Sequence, residues 1–221
     1  MPAEAKPLLA RMQVCSRQRI AGRDVALGQW HGTDTAVITA GVGKVHAVAV
    51  QLLIDRFDIR ALIIAGTAGA MDPSLKIGDL VLADAMAYHD VAPGLLAQFH
   101  PQLPHIDYLP DPALCRSVRQ ALDKAGMSVQ TGRFVTGDAF IDQQGRQHIC
   151  QTFAPLCTDM ESCAAAQVCA LYRLPFAALR AVSDTPQRSG LATFEENCAY
   201  AADRCAQALE AVFSEFSAQS A

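Results

Sequence analysis

Ala61-Leu62-Ile63-Ile64-Ala65-Gly66-Thr67-Ala68-Gly69-Ala70 is the stretch that decides the fold. Its first half is aliphatic at consecutive positions, so an extended chain is apolar on both faces. That suits a strand in a sheet covered on both sides. Its second half reads as a small-residue turn at the strand end, where α/β sheets hold ligands. Runs of the same kind recur at residues 34–40 (DTAVITA), 79–83 (DLVLA), 132–136 (GRFVT) and 176–182 (FAALRAV). Helical patterns separate them. Residues 43–57 place Val45, Val48, Ala49, Leu52 and Leu53 on one face, and residues 112–125, 162–172 and 194–213 behave similarly. Strands alternating with helices predict a three-layer α/β/α domain. The 221 residues form one domain with no internal repeat, and prolines and glycines at 93–94 and 101–110 mark a surface loop.

Apolar residues make up 51% and charged residues 18%, which excludes a disordered tail, a collagen-like chain and a coiled-coil fibre. Net charge is −4 from 18 basic and 22 acidic residues, with no Lys/Arg run, so nucleic acid is not an expected partner. The eight cysteines form no CxxC pair and lie mostly in apolar or helical stretches. They read as small hydrophobes of a reduced protein, with neither a metal site nor a cofactor implied. No leader-like segment and no apolar run of the ~18 residues that span a bilayer is present, so the expectation is a cytoplasmic protein away from membranes.

Four small-residue turns are candidates for chemistry. Ala40-Gly41-Val42-Gly43-Lys44 offers close backbone approach and a helix start, but His46 stands where a dinucleotide fingerprint needs glycine. In the second turn Thr67 supplies a hydroxyl, and Ala68 and Gly69 let a ligand lie on the backbone. In the third, residues 136–141 (TGDAFI), Phe140 suits either the core or a stacking platform. In the fourth, residues 180–184 (RAVSD), Arg180 sits in an apolar strand and needs a partner if buried, while Asp184 suits a turn equally well. Glu161, after Asp159-Met160, opens a helix of small residues (SCAAAQVCA) that packs close to its sheet and turns Glu161 inward. His89-Asp90 is a weaker candidate dyad, since neighbours on a strand point to opposite faces.

In order, AGVGK, AGTAGAMDPSLKIGDLVLAD, TGDAFI, DMESCAAA and LRAVSD resemble the nucleoside phosphorylase/nucleosidase superfamily, from about residue 36 to about residue 200. The branch most resembled is that of the 5′-methylthioadenosine/S-adenosylhomocysteine nucleosidases. The resemblance implies a central mixed sheet, a purine nucleoside as ligand, a homodimer and hydrolysis of an N-glycosidic bond. It implies Asp184 as general acid to the purine, oriented by Ser183, and Glu161 as the grip on the ribose hydroxyls over Met160. Phe140 would stack on the base and Ile141 would bond it through its backbone. Thr67 and Arg180 would hold the attacking water, and Glu4, matching an A-M-x-x-E pattern, would be its base. The family's first strand has no counterpart before Met1. Its absence predicts unpaired backbone groups next to it and a loosely held Glu4. A phosphorylase, a futalosine-type nucleosidase and an inactive nucleoside-binding protein are the alternatives.

Overall fold

The computed structural model describes residues 1–104, 106–141, 143–188 and 190–220. In chain order the elements are α1 (Pro2–Arg11), β1 (Gln13–Ile20), β2 (Arg23–Trp30), β3 (Thr33–Ile38), α2 (Val48–Arg56, entered through a 3₁₀ turn at Lys44–Ala47), β4 (Leu62–Ala70), β5 (Leu80–Tyr88), α3 (Leu95–Phe99), α4 (Pro112–Lys124), β6 (Val129–Thr136), α5 (Gln143–Phe153), β7 (Cys157–Asp159), α6 (Ser162–Tyr172), β8 (Phe176–Asp184) and α7 (Leu191–Ser220).

Strands β4, β7, β6, β5 and β8 form a mixed sheet that closes on itself. β4 runs parallel to β8, β5 parallel to β6 and antiparallel to β8, and β7 joins β6 to β4. Side chains alternate between two cores, as the pleat requires. On β5, Val81 and Ala83 face α6 residues such as Cys163, Ala166 and Cys169. Leu80 and Leu82 face the other way, toward Val118 and Leu122 of α4 and Ala201 to Val212 of α7. Layers of helix on either side of a mixed sheet are therefore what the alternating pattern required.

The two turns expected around residues 66–70 and 183–184 are instead strand. β4 continues through Gly66 to Ala70, and β8 runs to Asp184, because their parallel register holds from Leu62↔Phe176 to Gly69↔Asp184. They meet closely: a Cβ on Gly69 would lie 3.0 Å from Asp184 Oδ2, a tight contact that glycine avoids.

The antiparallel meander β1-β2-β3 packs apart from that sheet. Its hairpins turn through Ala21-Gly22 and His31-Gly32, all with positive φ, as two-residue type I′ turns demand. β2 is tied to α7 by Trp30, 2% exposed, whose ring stacks 4.7 Å from Phe213 and whose Nε1 donates to Glu210 at 2.6 Å.

Among the described residues β3 pairs only with β2, and Leu62–Ala65 pairs only with β8. The open sides of both line one cavity with Leu8 of α1 and Val50 and Leu53 of α2.

Replacing Trp30 by Ala removes the main clamp between meander and α7. The expected cost is about 3–5 kcal/mol, seen as a fall of roughly 10 °C in Tm by calorimetry or circular dichroism.

Candidate functional site

A cavity of about 290 Å³ opens where β4, β6, β7 and β8 end, beneath the loop that follows β3. Glu4, Thr67, Ala68, Gly69, Phe140, Ile141, Met160, Glu161, Ser183 and Asp184 all line it. Arg180 does not, because it lies behind the wall, 4% exposed, and neither do Gly43, Lys44, His89 and Asp90. A larger cavity of about 800 Å³ runs between α1 and the meander. Its charged lining, Lys6, Arg17, Arg19 and Asp24, is exposed, and among the described residues no buried polar groups converge there. The smaller cavity is the candidate site.

Arg180 organises the wall. Its Nε and Nη2 donate to Ser162 Oγ at 3.2 and 2.9 Å, and Nη2 lies 3.1 Å from Asp159 Oδ2 and 3.9 Å from Glu161 Oε2. Asp159 is held by Thr136 Oγ1 at 2.6 Å and by the N–H groups of Ser162 and Glu161 at 3.0 and 3.2 Å. The acidic pair at the start of α6 thus does two things: Asp159 takes up the first N–H groups of the helix, and both carboxylates face a buried guanidinium. Burial opposes the charge on Arg180, but Asp159, Glu161 and Glu4 outweigh it and hold the guanidinium charged.

Glu4 is firmly held, contrary to the loose anchoring expected without a preceding strand. Thr67 donates to its Oε1 from both N–H and Oγ1, at 2.8 and 2.9 Å, and the Met1 amine lies 2.6 Å from Oε2. The physical reason is that, among the described residues, β7 pairs with β4 only at Gly69 and Ala70, so on this side the Thr67 N–H is left to the carboxylate. Gly66 makes room, since a Cβ there would meet Arg180 Nη1 at 2.5 Å and Glu4 Oε1 at 2.6 Å. Burial pushes the Glu4 carboxyl up, but the Met1 amine, Arg180 and the Thr67 N–H together bring it below the ordinary glutamate value.

Asp184 is biased the other way. Burial raises its carboxyl above the ordinary range, and neither the Ser183 hydroxyl, donating at 3.0 Å, nor the charge of Arg146 cancels that. Burial likewise raises Glu161, against the pull of Arg180 and of the Gly43 N–H that donates to Oε1 at 2.8 Å. Phe140 is 55% exposed, its ring edge-on to Phe194 at 6.2 Å, so it belongs to the cavity lining and not to the core.

Reading the sequence missed Arg146, Phe194 and Leu191 in the lining. Arg146 is 7% exposed and donates from Nη1 to Ala70 O at 2.6 Å. It lies on α5, whose sequence gives no strong apolar stripe to mark a helix. His89-Asp90 forms no dyad: Asp90 bonds Lys44, while His89 Nε2 is buried without a hydrogen-bond partner. Among the described residues no group of His, Cys, Asp and Glu gathers as metal ligands, and no helix is long and apolar enough to cross a membrane.

Residues 1–214 match the family model described as Phosphorylase superfamily. The chain belongs to that superfamily. A 5′-methylthioadenosine/S-adenosylhomocysteine nucleosidase of Geobacillus kaustophilus is 33% identical over 213 residues, 94% of this chain and 91% of the relative. The nucleosidase of S. pneumoniae, solved with the transition-state inhibitor MT-ImmA, superposes with a TM-score of 0.88 at 29% identity, covering 98% of this chain and 96% of that one. Futalosine hydrolase of Helicobacter pylori shares the fold, with a TM-score of 0.89 at 24% identity and 97% and 94% coverage. Within the superfamily the chain therefore groups with the nucleosidases, which are N-ribosyl hydrolases.

Asp159→Ala leaves a buried guanidinium without its nearest carboxylate. The expected loss is about 3–5 kcal/mol of stability, and Asp159→Asn, which keeps acceptors for Thr136 and Ser162, loses less. Urea unfolding checks both.

Proposed function

We propose that the chain hydrolyses the N-glycosidic bond of a 5′-thio-substituted adenosine, 5′-methylthioadenosine or S-adenosylhomocysteine, releasing adenine. The observation that carries this reading is a single cavity lined by two carboxyls of opposite bias. Glu4 is held toward its ionised form and Asp184 toward its protonated form. Cleavage builds a ribosyl cation and moves negative charge into the purine. It needs a proton for the leaving base and a base for the incoming water. Asp184 gives its proton to the purine, with Ser183 fixing the carboxyl from the other side. Glu4, oriented by the two Thr67 donors, takes the proton of water. Glu161 grips the ribose hydroxyls above Met160, Phe140 stacks on the base and Ile141 meets its edge through the backbone. Arg180 acts from behind the wall, holding Glu161 and the charge balance around the water.

Water is favoured over phosphate as nucleophile by the state of the cations. Lys44 Nζ lies 2.9 and 2.8 Å from the Asp90 carboxylate oxygens and 3.6 Å from Asp138 Oδ2. Arg180 is taken up by Ser162, Asp159 and Glu161. A phosphate approaching Glu4 would meet a carboxylate, and among the described residues the cations beside it, the Met1 amine and Arg180, are already paired.

We propose further that the chain acts as a single domain, in a homodimer. Among the described residues none of 91–110 lines the cavity within one chain, yet this segment exposes Leu95, Phe99, Ile106 and Leu109. In the proposed dimer it faces the partner near the 5′ group. Sedimentation equilibrium reads the mass, and a monomer at assay concentration would overturn this part.

The deciding assay incubates the protein with 5′-methylthioadenosine, with and without phosphate, and follows adenine and the sugar. Free adenine and methylthioribose in both conditions is expected. A sugar 1-phosphate formed only with phosphate would make the chain a phosphorylase, and no release would leave a binding protein. Asp184→Asn and Glu4→Gln are each expected to lower kcat by ~10²–10⁴-fold.

The pH dependence follows from the two biases. Glu4, with its pKa lowered, stays ionised as pH falls until below the ordinary glutamate value, so the acid limb of kcat/KM lies low. Asp184, with its pKa raised, keeps its proton to higher pH than an ordinary aspartate, and activity is lost as pH rises through that value. Asp184→Asn should remove the alkaline limb from whatever activity remains.

A further inference from the structure

Three loops meet at the rim of the cavity, and one side chain outside the lining joins them. Asp90, just after β5, accepts from Lys44 Nζ with both carboxylate oxygens, at 2.9 and 2.8 Å, and from the Asp138 N–H at 3.0 Å. Asp138 in turn accepts from the Lys44 N–H at 2.7 Å, which closes the ring. Lys44 belongs to the loop whose Gly43 N–H donates to Glu161, 2.8 Å away, and whose Gly41 and Val42 line the cavity. Asp138 belongs to the turn that presents Ala139, Phe140 and Ile141 to it. That turn is seated flush on the end of β5: a Cβ on Gly137 would lie 2.3 Å from the His89 ring and 3.0 Å from Asp90 Oδ2. Lys44 Nζ also lies 3.6 Å from Asp138 Oδ2, so the ring is charged on all three sides.

We propose that Asp90 is a positioning residue for nucleoside binding: through Lys44 and Asp138 it sets the separation between the loop bonded to Glu161 and the turn carrying Phe140. The inference rests on the reading of the cavity as a nucleoside site. The ribose end and the purine end of the ligand are bonded within one small molecule, so the two walls must keep a fixed spacing for both to be engaged together. Asp90 touches neither end and acts only through the loops. Its removal should therefore weaken the hold on the nucleoside while leaving proton transfer by Asp184 and Glu4 largely as it was.

The test is steady-state kinetics on Asp90→Ala, Asp90→Asn and Lys44→Met, with Tm measured for each. Asp90→Ala and Lys44→Met are each expected to raise KM about tenfold with kcat within about threefold. Asp90→Asn, which keeps an acceptor for the Asp138 N–H, should raise KM about threefold. The double variant Lys44→Met/Asp90→Ala should be no worse than either single, because both break the same ring. An unchanged KM, a fall in kcat alone, or a double variant about a hundredfold worse would overturn the proposal. Should the wild type release no base, the reading as a nucleosidase fails, and calorimetric titration with adenine decides the inference separately. Binding about tenfold weaker in Asp90→Ala would support it, and equal binding would overturn it.

Discussion

A guanidinium buried in the middle of an apolar strand is the constraint from which the rest of the site follows. Arg180 could not stay charged at 4% exposure without carboxylates and a hydroxyl gathered round it. That requirement explains why β7 ends in Asp159, why α6 begins with Glu161-Ser162, and why Glu4 from the far end of the chain comes to the same place. It also explains the glycine at 66, where any side chain would enter the space shared by Arg180 and Glu4. The interaction sets more than stability. By supplying positive charge behind the wall it helps keep Glu4 ionised while Asp184, out of its influence, is left to burial.

The small residues of the chain serve the same end. Ala164, Ala165 and Ala166 with Cys163 and Cys169 let α6 lie against the sheet, so that its first residues deliver carboxylates into the wall rather than into water. Gly69 lets β4 approach Asp184 closely enough for the carboxyl to be shielded from solvent. Close packing thus does chemical work, because the depth of burial is what raises the Asp184 carboxyl.

Much of this was legible in the sequence, for identifiable reasons. Strands apolar on both faces announced themselves, and α6 ends where its pattern does, at Ser162–Tyr172. Arg180, Glu161 and Phe140 stood out as a charge or an aromatic among small or aliphatic neighbours, whereas Glu4, Met160 and Ile141 were marked only by the resemblance to the family. What was not legible had no such contrast. β1 is polar at five of its eight positions and buries only Ile20, and the hairpins of the meander turn on Ala-Gly and His-Gly rather than the familiar Asn-Gly. β7 has three residues, too few for a period, and exists because β4 and β6 both bind it. The Gly66–Ala70 and Ser183-Asp184 segments look like turns because small and polar residues usually make them. Here the same residues are strand, since two chains meeting around a buried acid have room for nothing larger.

The open side of β4 gives one strand two very different edges. Leu62 turns its N–H to β8, where it bonds Pro175 O at 2.9 Å, and strand alternation sends those of Ile64 and Gly66 the same way. The N–H groups of Ile63, Ala65 and Thr67 point to the opposite side, and of these Thr67 has the Glu4 carboxylate as its partner. Along a single stretch of backbone, amide protons should therefore alternate between slow and fast exchange with solvent deuterium. The Glu4 carboxylate that lines the cavity is also the peg that stops the fraying of this edge from reaching it.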